Sequence, residues 1–319
     1  MGTARCVQIP SSQAMMLRWT CAMVVCLGLG GALAANSHET GIGSKPGTKA
    51  TSCPCGMSKK GRIVGGSKAL PNEYPWMVML VEGNTKDVLC GASIINTKVA
   101  ITAAHCTHTL PSGTKLNIIA GTSNVNKPGQ FVPVRRWIEH EKYYGPQYDA
   151  GKTVNDIALL LLAKPLQFNP NVGPLCMPTG KYNIENKWVK LTGWGQLGGE
   201  LPSTRQLMEV DLKVMQFKRC QKLFPLKSPQ TQICTQTPGR SSCFGDSGGP
   251  LTYLDPETNR YTLVGLVSFG SGVCDPQVPT IFTEVTAFLP WIKSKIKSLG
   301  CQKVSGKKRK EFRDIVLGG

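Results

Sequence analysis

The sequence predicts an all-β protein that contains two six-stranded antiparallel β-barrels and a C-terminal α-helix. Short runs rich in Val, Ile and Leu recur between residues 76 and 285, and turns rich in Gly, Pro and Asn separate them. These runs fall into two sets of six, which indicates two antiparallel barrels. Only the last segment of the chain has helical periodicity.

The predicted strands cover short and evenly spaced ranges. The first set is 76–81, 89–95, 98–104, 115–120, 131–138 and 156–162, and the second is 188–194, 207–215, 231–236, 249–254, 261–269 and 280–285. Beyond them Ile292, Ile296 and Leu299 recur at helical spacing. We therefore expect a helix with one apolar face in "WIKSKIKSL" (291–299).

The two ends of the chain differ in composition from the part between them. Residues 19–34 form an apolar run behind Arg18, which predicts a secretory signal peptide over 1–34, with an N-terminal anchor as the alternative. Residues 35–62 are poor in large apolar groups and end in "KKGR", so we interpret them as a pro-segment. A main domain follows over 63–300, and a basic tail with "KKRK" (307–310) occupies 301–319.

The cysteines and the charge indicate an exported protein. Of the thirteen cysteines, Cys6, Cys21 and Cys26 lie in the signal region, and the remaining ten predict five disulfides in a secreted, extracellular chain. The formal net charge is +18, and much of it lies at the C-terminus. Export excludes a nuclear signal and a nucleic-acid partner, which leaves a solvated tail or a patch for an anionic polysaccharide or membrane surface.

The stretch "RSSCFGDSGGPL" (240–251) surrounds Ser247 with glycines. So many glycines indicate that backbone N–H groups next to the serine must point into a space that side chains would block. Ser247 is therefore a candidate nucleophile. The stretch also fits the Gly-X-Ser-X-Gly turn of α/β-hydrolases, which requires a histidine after the serine. All four histidines precede Ser247, so that interpretation fails.

A serine nucleophile needs a base to take its proton and an acid to orient the base. His105 follows the apolar run "VAITAAH", where Cys106 can fix its position. Asp156 opens "DIALLLL", where a carboxylate beside a buried strand needs a partner. Asp87 is the alternative acid and would place the three residues in the chain order acid, base, nucleophile. Its neighbours in the sequence, however, indicate a surface loop. We therefore predict His105, Asp156 and Ser247 as the catalytic residues.

Six motifs resemble those of the trypsin/chymotrypsin family of serine proteases in order and approximate spacing. They are "RIVGG" (62–66), "TAAHC" (102–106), "DIALL" (156–160), "GWG" (193–195), "GDSGGPL" (245–251) and "VSFG" (267–270). The resemblance implies a chymotrypsin-like fold and a serine endopeptidase with nucleophile Ser247, general base His105 and orienting Asp156. It also implies an oxyanion hole from the N–H groups of Gly245 and Ser247, and no cofactor. The alternative function is that of a catalytically inactive homologue that acts as a binding or cofactor protein.

The same resemblance implies a zymogen. Cleavage after Arg62 by a trypsin-like activating protease would free the amine of Ile63, which would pair with Asp246. The other implied partners are polypeptide substrates and protein inhibitors. We expect a monomer that has no membrane-spanning segment.

The resemblance places Ser241 at the floor of the pocket for the residue before the scissile bond. Ser241 is uncharged, which predicts preference for uncharged apolar residues, as in chymotrypsin- or elastase-like members. Gly270 leaves one wall open, and Thr280 makes the pocket shallower. The other implied lining residues are Phe244, Ser268 and Phe269.

The resemblance also implies how the cysteines pair. The implied disulfides are Cys90–Cys106, Cys220–Cys234 and Cys243–Cys274. Cys176 is expected to pair with either Cys53 or Cys55, and Cys301 with the other. No metal site is expected, because residues 120–131 lack the acidic ligands of the calcium loop found in some trypsins.

Overall fold

The computed structural model of the protein describes residues 47–59, 67–85, 87–145, 153–226 and 228–302. All of them belong to a single unit. The predicted signal peptide, the cleavage site at Arg62 and Ile63, and the tail beyond residue 302 lie outside the described residues.

Thirteen strands and three short α-helices make up the regular structure of the described residues. The strands are β1 (Ser67–Lys68), β2 (Met77–Glu82), β3 (Val88–Asn96), β4 (Val99–Thr102), β5 (Leu116–Ala120), β6 (Gln130–Glu139), β7 (Ala158–Leu162), β8 (Trp188–Gly193), β9 (Met208–Lys213), β10 (Gln232–Thr235), β11 (Pro250–Asp255), β12 (Arg260–Phe269) and β13 (Thr280–Glu284). The helices are α1 (His105–His108), α2 (Phe217–Cys220) and α3 (Leu289–Lys295). Each of the twelve predicted strands is present, with its ends within two residues of the prediction.

Strands β2 to β7 close into a barrel in the order β2-β3-β4-β7-β6-β5. Successive side chains of a strand point to opposite faces, and both faces of β2 are covered. Val78 and Leu80 enter an apolar cluster formed by barrel residues alone. Met77 and Met79 enter another cluster that includes Leu266 of the second sheet. Burial on both faces explains why β2 is a continuous apolar run and does not alternate with polar residues.

The second sheet is open, and the prediction of a second closed barrel is wrong in this respect. Its seven strands run in the order β1-β9-β8-β11-β12-β13-β10. The ends of β9 and β10 meet only at one isolated bridge between Val214 and Thr235, with flanking hydrogen bonds from Gln236 N to Lys213 O and from Met215 N to Cys234 O, both 3.0 Å. A ladder does not form here because the chain leaves β9 for α2 directly after the bridge.

The C-terminal helix is present but shorter than predicted. It ends at Lys295, and Ile296 has an extended backbone with φ −133° and ψ 145°. Ile292 and Leu299 are both buried, as the apolar periodicity requires, although Leu299 lies outside the helix. The chain turns away so that Cys301 can reach Cys53, and this disulfide overrides the helical pattern. No helix in the described ranges is long and apolar enough to span a membrane.

Five disulfides join the ten cysteines of the described chain, as predicted. Three are the pairs Cys90–Cys106, Cys220–Cys234 and Cys243–Cys274. The two alternatives that the sequence left open are resolved as Cys55–Cys176 and Cys53–Cys301.

Residues 47–59 of the pro-segment lie against the main domain as a strap. Besides its two disulfides, the strap exchanges backbone hydrogen bonds with the second sheet, since Tyr261 N donates to Gly56 O at 2.9 Å and Lys49 N donates to Glu257 O at 2.7 Å. The Lys49 ammonium also pairs with the Glu257 carboxylate at 2.7 Å. The strap is therefore attached to the main domain by disulfides, hydrogen bonds and an ion pair. These links do not depend on the peptide chain between residues 59 and 67.

Candidate active site

His105 and Asp156 are brought together by the pairing of β4 with β7. Thr102 at the end of β4 lies opposite Ala158 at the start of β7, so the residues that follow β4 and precede β7 share one rim of the barrel. His105 is the first residue of α1, three positions beyond Thr102. Asp156 lies two positions before Ala158, which places both predicted residues at the same point of the rim.

The Asp156 carboxylate is buried and fully engaged in hydrogen bonds. Its Oδ1 accepts from the His105 backbone N–H at 2.9 Å, and its Oδ2 lies 2.8 Å from His105 Nδ1. Two hydroxyls of the second sheet complete the site: Ser268 Oγ donates to Oδ2 at 2.5 Å, and Thr283 Oγ1 donates to the Asp156 carbonyl at 2.7 Å. Nδ1 of His105 is thereby oriented, and Nε2 is left as the nitrogen available to a substrate or nucleophile.

Burial and the interaction between His105 and Asp156 shift the pKa values of these two residues in opposite directions. Burial would lower the pKa of His105, but the charge of Asp156 and its hydrogen bond outweigh burial and raise it. Burial would raise the pKa of Asp156, but the charge of His105 and the hydrogen bonds from His105 and Ser268 lower it. The pair is therefore arranged to stabilise a protonated imidazole beside an ionised carboxylate.

Ser268 reaches Asp156 because β12 contains an irregularity at this position. Val267 pairs with Phe282 of β13 and Phe269 pairs with the next residue, Ile281, so Ser268 is the extra residue of a bulge. A bulge redirects a side chain relative to the regular alternation of a strand. We predicted Ser268 as a pocket residue, and its hydroxyl in fact points towards Asp156.

Ser247 lies in the loop between β10 and β11, which we call the nucleophile loop (residues 240–249). The carbonyl of Ser247 accepts from Gly91 N of β3 at 2.9 Å. A Cβ on Gly248 would lie 2.0 Å from Thr102 Oγ1 and 2.8 Å from Gly91 O. The loop therefore docks against β3 and β4 at a distance that only glycine permits at position 248.

The N–H groups of Gly245 and Ser247 have no acceptor among the described residues. Gly245 has φ +93°, a conformation that L-residues rarely adopt, and the preceding Phe244 carbonyl is held by Gln196 N at 2.8 Å. The Ser247 hydroxyl likewise makes no hydrogen bond within the described structure, to His105 or to any other residue. Such a bond is often long without substrate and shortens when substrate binds.

Ser241 and Thr280, both predicted pocket residues, lie side by side at the start of the nucleophile loop. Thr280 Oγ1 lies 3.4 Å from Ser241 Oγ and 3.1 Å from Ser242 Oγ. A Cβ on Gly270 would lie 3.7 Å from Thr280 Oγ1, so these two residues face each other. The side chains that meet here are therefore polar and uncharged.

The two predicted aromatic residues of the pocket have different environments. Phe244 is 52% exposed. Phe269 is half-buried against an apolar cluster, where its ring makes an edge contact with Phe224 at 6.2 Å between centroids. Phe269 is thus fixed by packing, whereas Phe244 is open to solvent.

Asp246 is buried beside its neighbour Ser247 and carries no cationic partner among the described residues. Its carboxylate accepts from Gly195 N at 2.9 Å and from Cys243 N at 3.0 Å. A Cβ on Gly193 would lie 2.0 Å from Asp246 Oδ1, so the glycine makes room for the carboxylate. Burial raises the pKa of Asp246 to about 6, although the two backbone hydrogen bonds act in the opposite direction.

A cavity of about 500 Å³ borders Asp246 and extends along β8 and β9. Glu209 lines it and belongs to a buried ion-pair network, in which Lys190 Nζ lies 3.3 Å from Glu209 Oε2 and 3.0 Å from Asp211 Oδ1. Ser67 of β1 donates to Glu209 Oε1 at 3.3 Å. The strand that follows the predicted cleavage site therefore starts next to this cavity.

The other two histidines of the described residues, His108 and His140, and the alternative acid Asp87 make no hydrogen bond with Asp156 or Ser247. His108 pairs with Glu139 at 2.8 Å, and His140 packs its ring against Phe288 and Trp291. Asp87 is exposed between β2 and β3.

Two groups of residues around the site escaped the sequence analysis. Thr283 donates to Asp156, and Glu209 lines the cavity that borders Asp246. Both lie on buried strands, and no local sequence signal distinguishes them from core residues. Leu197, Leu201 and Val273 are exposed in loops next to the nucleophile loop, and their position as apolar residues within Gly-rich loops could have identified them.

Comparisons with known proteins found one matching family and several similar proteins. The family described as Trypsin matches residues 63–292. The clotting factor G beta subunit of Tachypleus tridentatus is 34% identical over 251 residues, which cover 73% of this chain and 79% of that protein. Duodenase-1 of Bos taurus is 33% identical over 244 residues, which cover 74% of this chain and 90% of duodenase-1. The serine protease filzig of Drosophila melanogaster is 33% identical over 267 residues, 76% of this chain but only 15% of filzig.

The raised pKa of Asp246 predicts how the stability of the uncut protein depends on pH. The unfolded carboxyl ionises near its ordinary value of 3.8, whereas the folded one holds its proton up to about 6. Asp246 therefore contributes no penalty below about pH 3.5, and the wild type should lose roughly 3 kcal/mol relative to Asp246→Asn as the pH rises through about 6. Urea unfolding of both proteins, each made uncleavable by Arg62→Gln, measures this difference. A difference that does not change with pH would contradict the prediction.

Proposed function

The chain belongs to the trypsin family of serine proteases, and from this we propose that it is a secreted zymogen whose activated form cleaves polypeptides after uncharged apolar residues. The observation that carries the proposal is the engagement of Asp156 with both the backbone and Nδ1 of His105, on the rim that faces Ser247. Five disulfides are consistent with an oxidising, extracellular compartment.

In the proposed reaction, His105 Nε2 takes the proton of the Ser247 hydroxyl as its oxygen attacks the substrate carbonyl. Asp156 keeps Nδ1 protonated and stabilises the imidazolium, in line with the directions of the two pKa shifts. The negative oxygen of the tetrahedral intermediate would be bound by the N–H groups of Gly245 and Ser247, which have no acceptor among the described residues. His105 then gives the proton to the leaving amine, and water releases the acyl group from Ser247 by the reverse steps.

We propose that activation supplies the missing partner of Asp246. Cleavage after Arg62 would give Ile63 a free amine, and β1 begins only four residues later, beside the cavity that borders Asp246. A buried carboxylate without a counter-ion is unfavourable, so an incoming ammonium would bind it strongly. The pair would then hold the nucleophile loop in the form that presents the N–H groups of Gly245 and Ser247.

Pocket chemistry supports the proposed preference for apolar residues. A lysine or arginine side chain would meet the hydroxyls of Ser241 and Thr280, the residues proposed for the base of the pocket. Neither residue carries a carboxylate, which would leave the cation uncompensated at a cost of several kcal/mol. Thr280 lies beside Gly270, because a Cβ on Gly270 would be 3.7 Å from Thr280 Oγ1, and its branched side chain would make the proposed pocket shallower. Leu, Met and Val therefore fit best, Phe and Tyr next, and Arg and Lys least.

Labelling with a fluorophosphonate tests the proposed catalytic role of Ser247. The protein cleaved after Arg62 should be labelled covalently, because His105 makes the Ser247 oxygen nucleophilic. Ser247→Ala should not be labelled, and the uncut protein should react at least roughly tenfold more slowly, because its oxyanion donors are not yet held in place.

The outcome also separates the enzyme from an inactive homologue. A correctly cleaved and folded wild type that fails to react would favour the binding or cofactor protein. Equal reactivity of the uncut and cleaved forms would remove the role proposed for Asp246 and Ile63.

The role of Thr280 is testable with peptides that differ only in the residue before the scissile bond. Thr280→Gly deepens the pocket, so the ratio of kcat/KM for Phe over Leu peptides should rise by roughly tenfold or more. Gly180→Ala is a suitable control, since its Cβ would meet nothing within 4 Å. Faster cleavage by the wild type after Arg than after Leu and Phe would contradict the proposed preference.

A further inference from the structure

Helix α1, which begins with His105, is held at both of its ends by a carboxylate. At its first residue, Asp156 binds the backbone N–H and Nδ1 of His105. At its other end, Glu139 of β6 binds two consecutive side chains. The Thr107 hydroxyl donates to Glu139 Oε1 at 2.7 Å, and His108 Nδ1 lies 2.8 Å from Glu139 Oε2. Both oxygens of this second carboxylate are therefore engaged with the helix, although Glu139 takes no part in the proposed proton transfer.

The pairing of three strands explains how Glu139 reaches α1. Ala158 of β7 pairs with Thr102 of β4 on one side and with Glu139 of β6 on the other. Helix α1 begins three residues after Thr102, and Glu139 is the last residue of β6. The helix therefore crosses the end of β7, and its last residues arrive where β6 ends.

The contacts of Glu139 are shielded from water and fixed by their neighbours. Thr107 is only 2% exposed, and the Glu139 side chain is 22% exposed. The His108 ring makes an edge contact with Tyr143 at 5.1 Å between centroids, and a Cβ on Gly145 would lie 3.2 Å from His108 Nε2. Hydrogen bonds to an ionised acceptor are stronger than neutral ones, so this cluster restrains α1 more than an exposed ion pair would.

Helix α1 depends on such outside contacts because it is very short. It has four residues, and the residue before it, Ala104, has no side chain that could cap it. A single helical turn is unstable by itself, so tertiary contacts must set its orientation. The Cys90–Cys106 disulfide fixes one point of α1, and Asp156 fixes a second at His105. Two points leave the turn free to rotate about the line that joins them, and Glu139 supplies the third.

We propose that Glu139 is a positioning residue for the proposed reaction, because it fixes the orientation of α1 and thereby directs the His105 imidazole towards Ser247. The inference rests on the proposed function, since it assigns a further residue to the same reaction. Rotation of α1 would move Nε2 of His105 away from the Ser247 hydroxyl. The residues proposed for the substrate pocket lie on the second sheet and its loops and would keep their places. Loss of Glu139 should therefore lower kcat and leave KM nearly unchanged.

Variants of Glu139 test the proposal on the activated full chain, with a peptide that has Leu before the scissile bond. Glu139→Ala should lower kcat by roughly tenfold and change KM by less than about twofold. It should also slow inactivation by a fluorophosphonate by about the same factor as kcat. Glu139→Gln should keep at least about half of the wild-type kcat, because its amide oxygen can accept from Thr107 and its NH2 group can donate to neutral His108.

Glu141→Ala is a matched control, because Glu141 lies two residues along the chain but binds a different helix. Its carboxylate accepts from Trp291 Nε1 at 2.8 Å and pairs with Lys295, both in α3. Glu141→Ala should therefore keep the wild-type kcat and KM. Circular dichroism of each variant verifies that the fold is retained.

Two variants of Thr107 test the same contact from the side of the helix. Thr107→Val removes the hydroxyl at nearly constant volume and should lower kcat by about threefold or more. Thr107→Ser keeps the hydroxyl and should match the wild type. If Glu139→Ala does not fold, the comparison of these two variants decides the proposal.

Three results would overturn the positioning role while leaving the proposed protease intact. The first is a wild-type kcat in Glu139→Ala, or in Thr107→Val where Glu139→Ala does not fold. The second is an equal loss in Glu139→Ala and Glu139→Gln, which would mean that the charge of Glu139 acts and its hydrogen bonds do not. The third is a raised KM with an unchanged kcat, which would assign Glu139 to substrate binding. A wild type that neither cleaves the peptide nor reacts with the fluorophosphonate would instead overturn the proposed function, and the role of Glu139 with it.

Discussion

The catalytic arrangement depends on a backbone contact between the closed barrel and the nucleophile loop. Gly91 of β3 donates to the carbonyl of Ser247, and Gly248 packs against Gly91 and Thr102 at a distance that excludes any side chain. The neighbouring residue of β3, Cys90, is joined by a disulfide to Cys106, which follows His105 in α1. One short segment of β3 therefore positions the candidate base and the candidate nucleophile, although these come from different sheets.

Asp156 connects the same two sheets through electrostatics. A carboxylate this deeply buried is tolerated only when it is fully hydrogen-bonded, and its partners come from α1 and β12. Thr283 of β13 holds the same residue through its backbone carbonyl. Any displacement of one sheet against the other would break some of these bonds. Stability of the sheet interface and orientation of His105 are therefore coupled.

Local pattern and family motifs together predicted most of the fold, because strands, turns and triad residues depend on nearby sequence. The sequence could not predict the open edge between β9 and β10 or the early end of α3, since both follow from where the chain must travel next, towards α2 and Cys53. The orientation of Ser268 depends on a bulge that is defined only by pairing with β13.

The rate of fluorophosphonate inactivation of activated Gly91→Ala tests the central contact most directly. A Cβ at this position would lie 3.1 Å from Gly249 Cα and 3.3 Å from Gly249 N, so the nucleophile loop must move by a few tenths of an ångström. Because catalytic groups lose efficiency with small misplacements, we expect inactivation at least roughly tenfold slower than in wild type and in Gly180→Ala, with the fold retained. Inactivation of Gly91→Ala at the wild-type rate would show that the contact does not position Ser247.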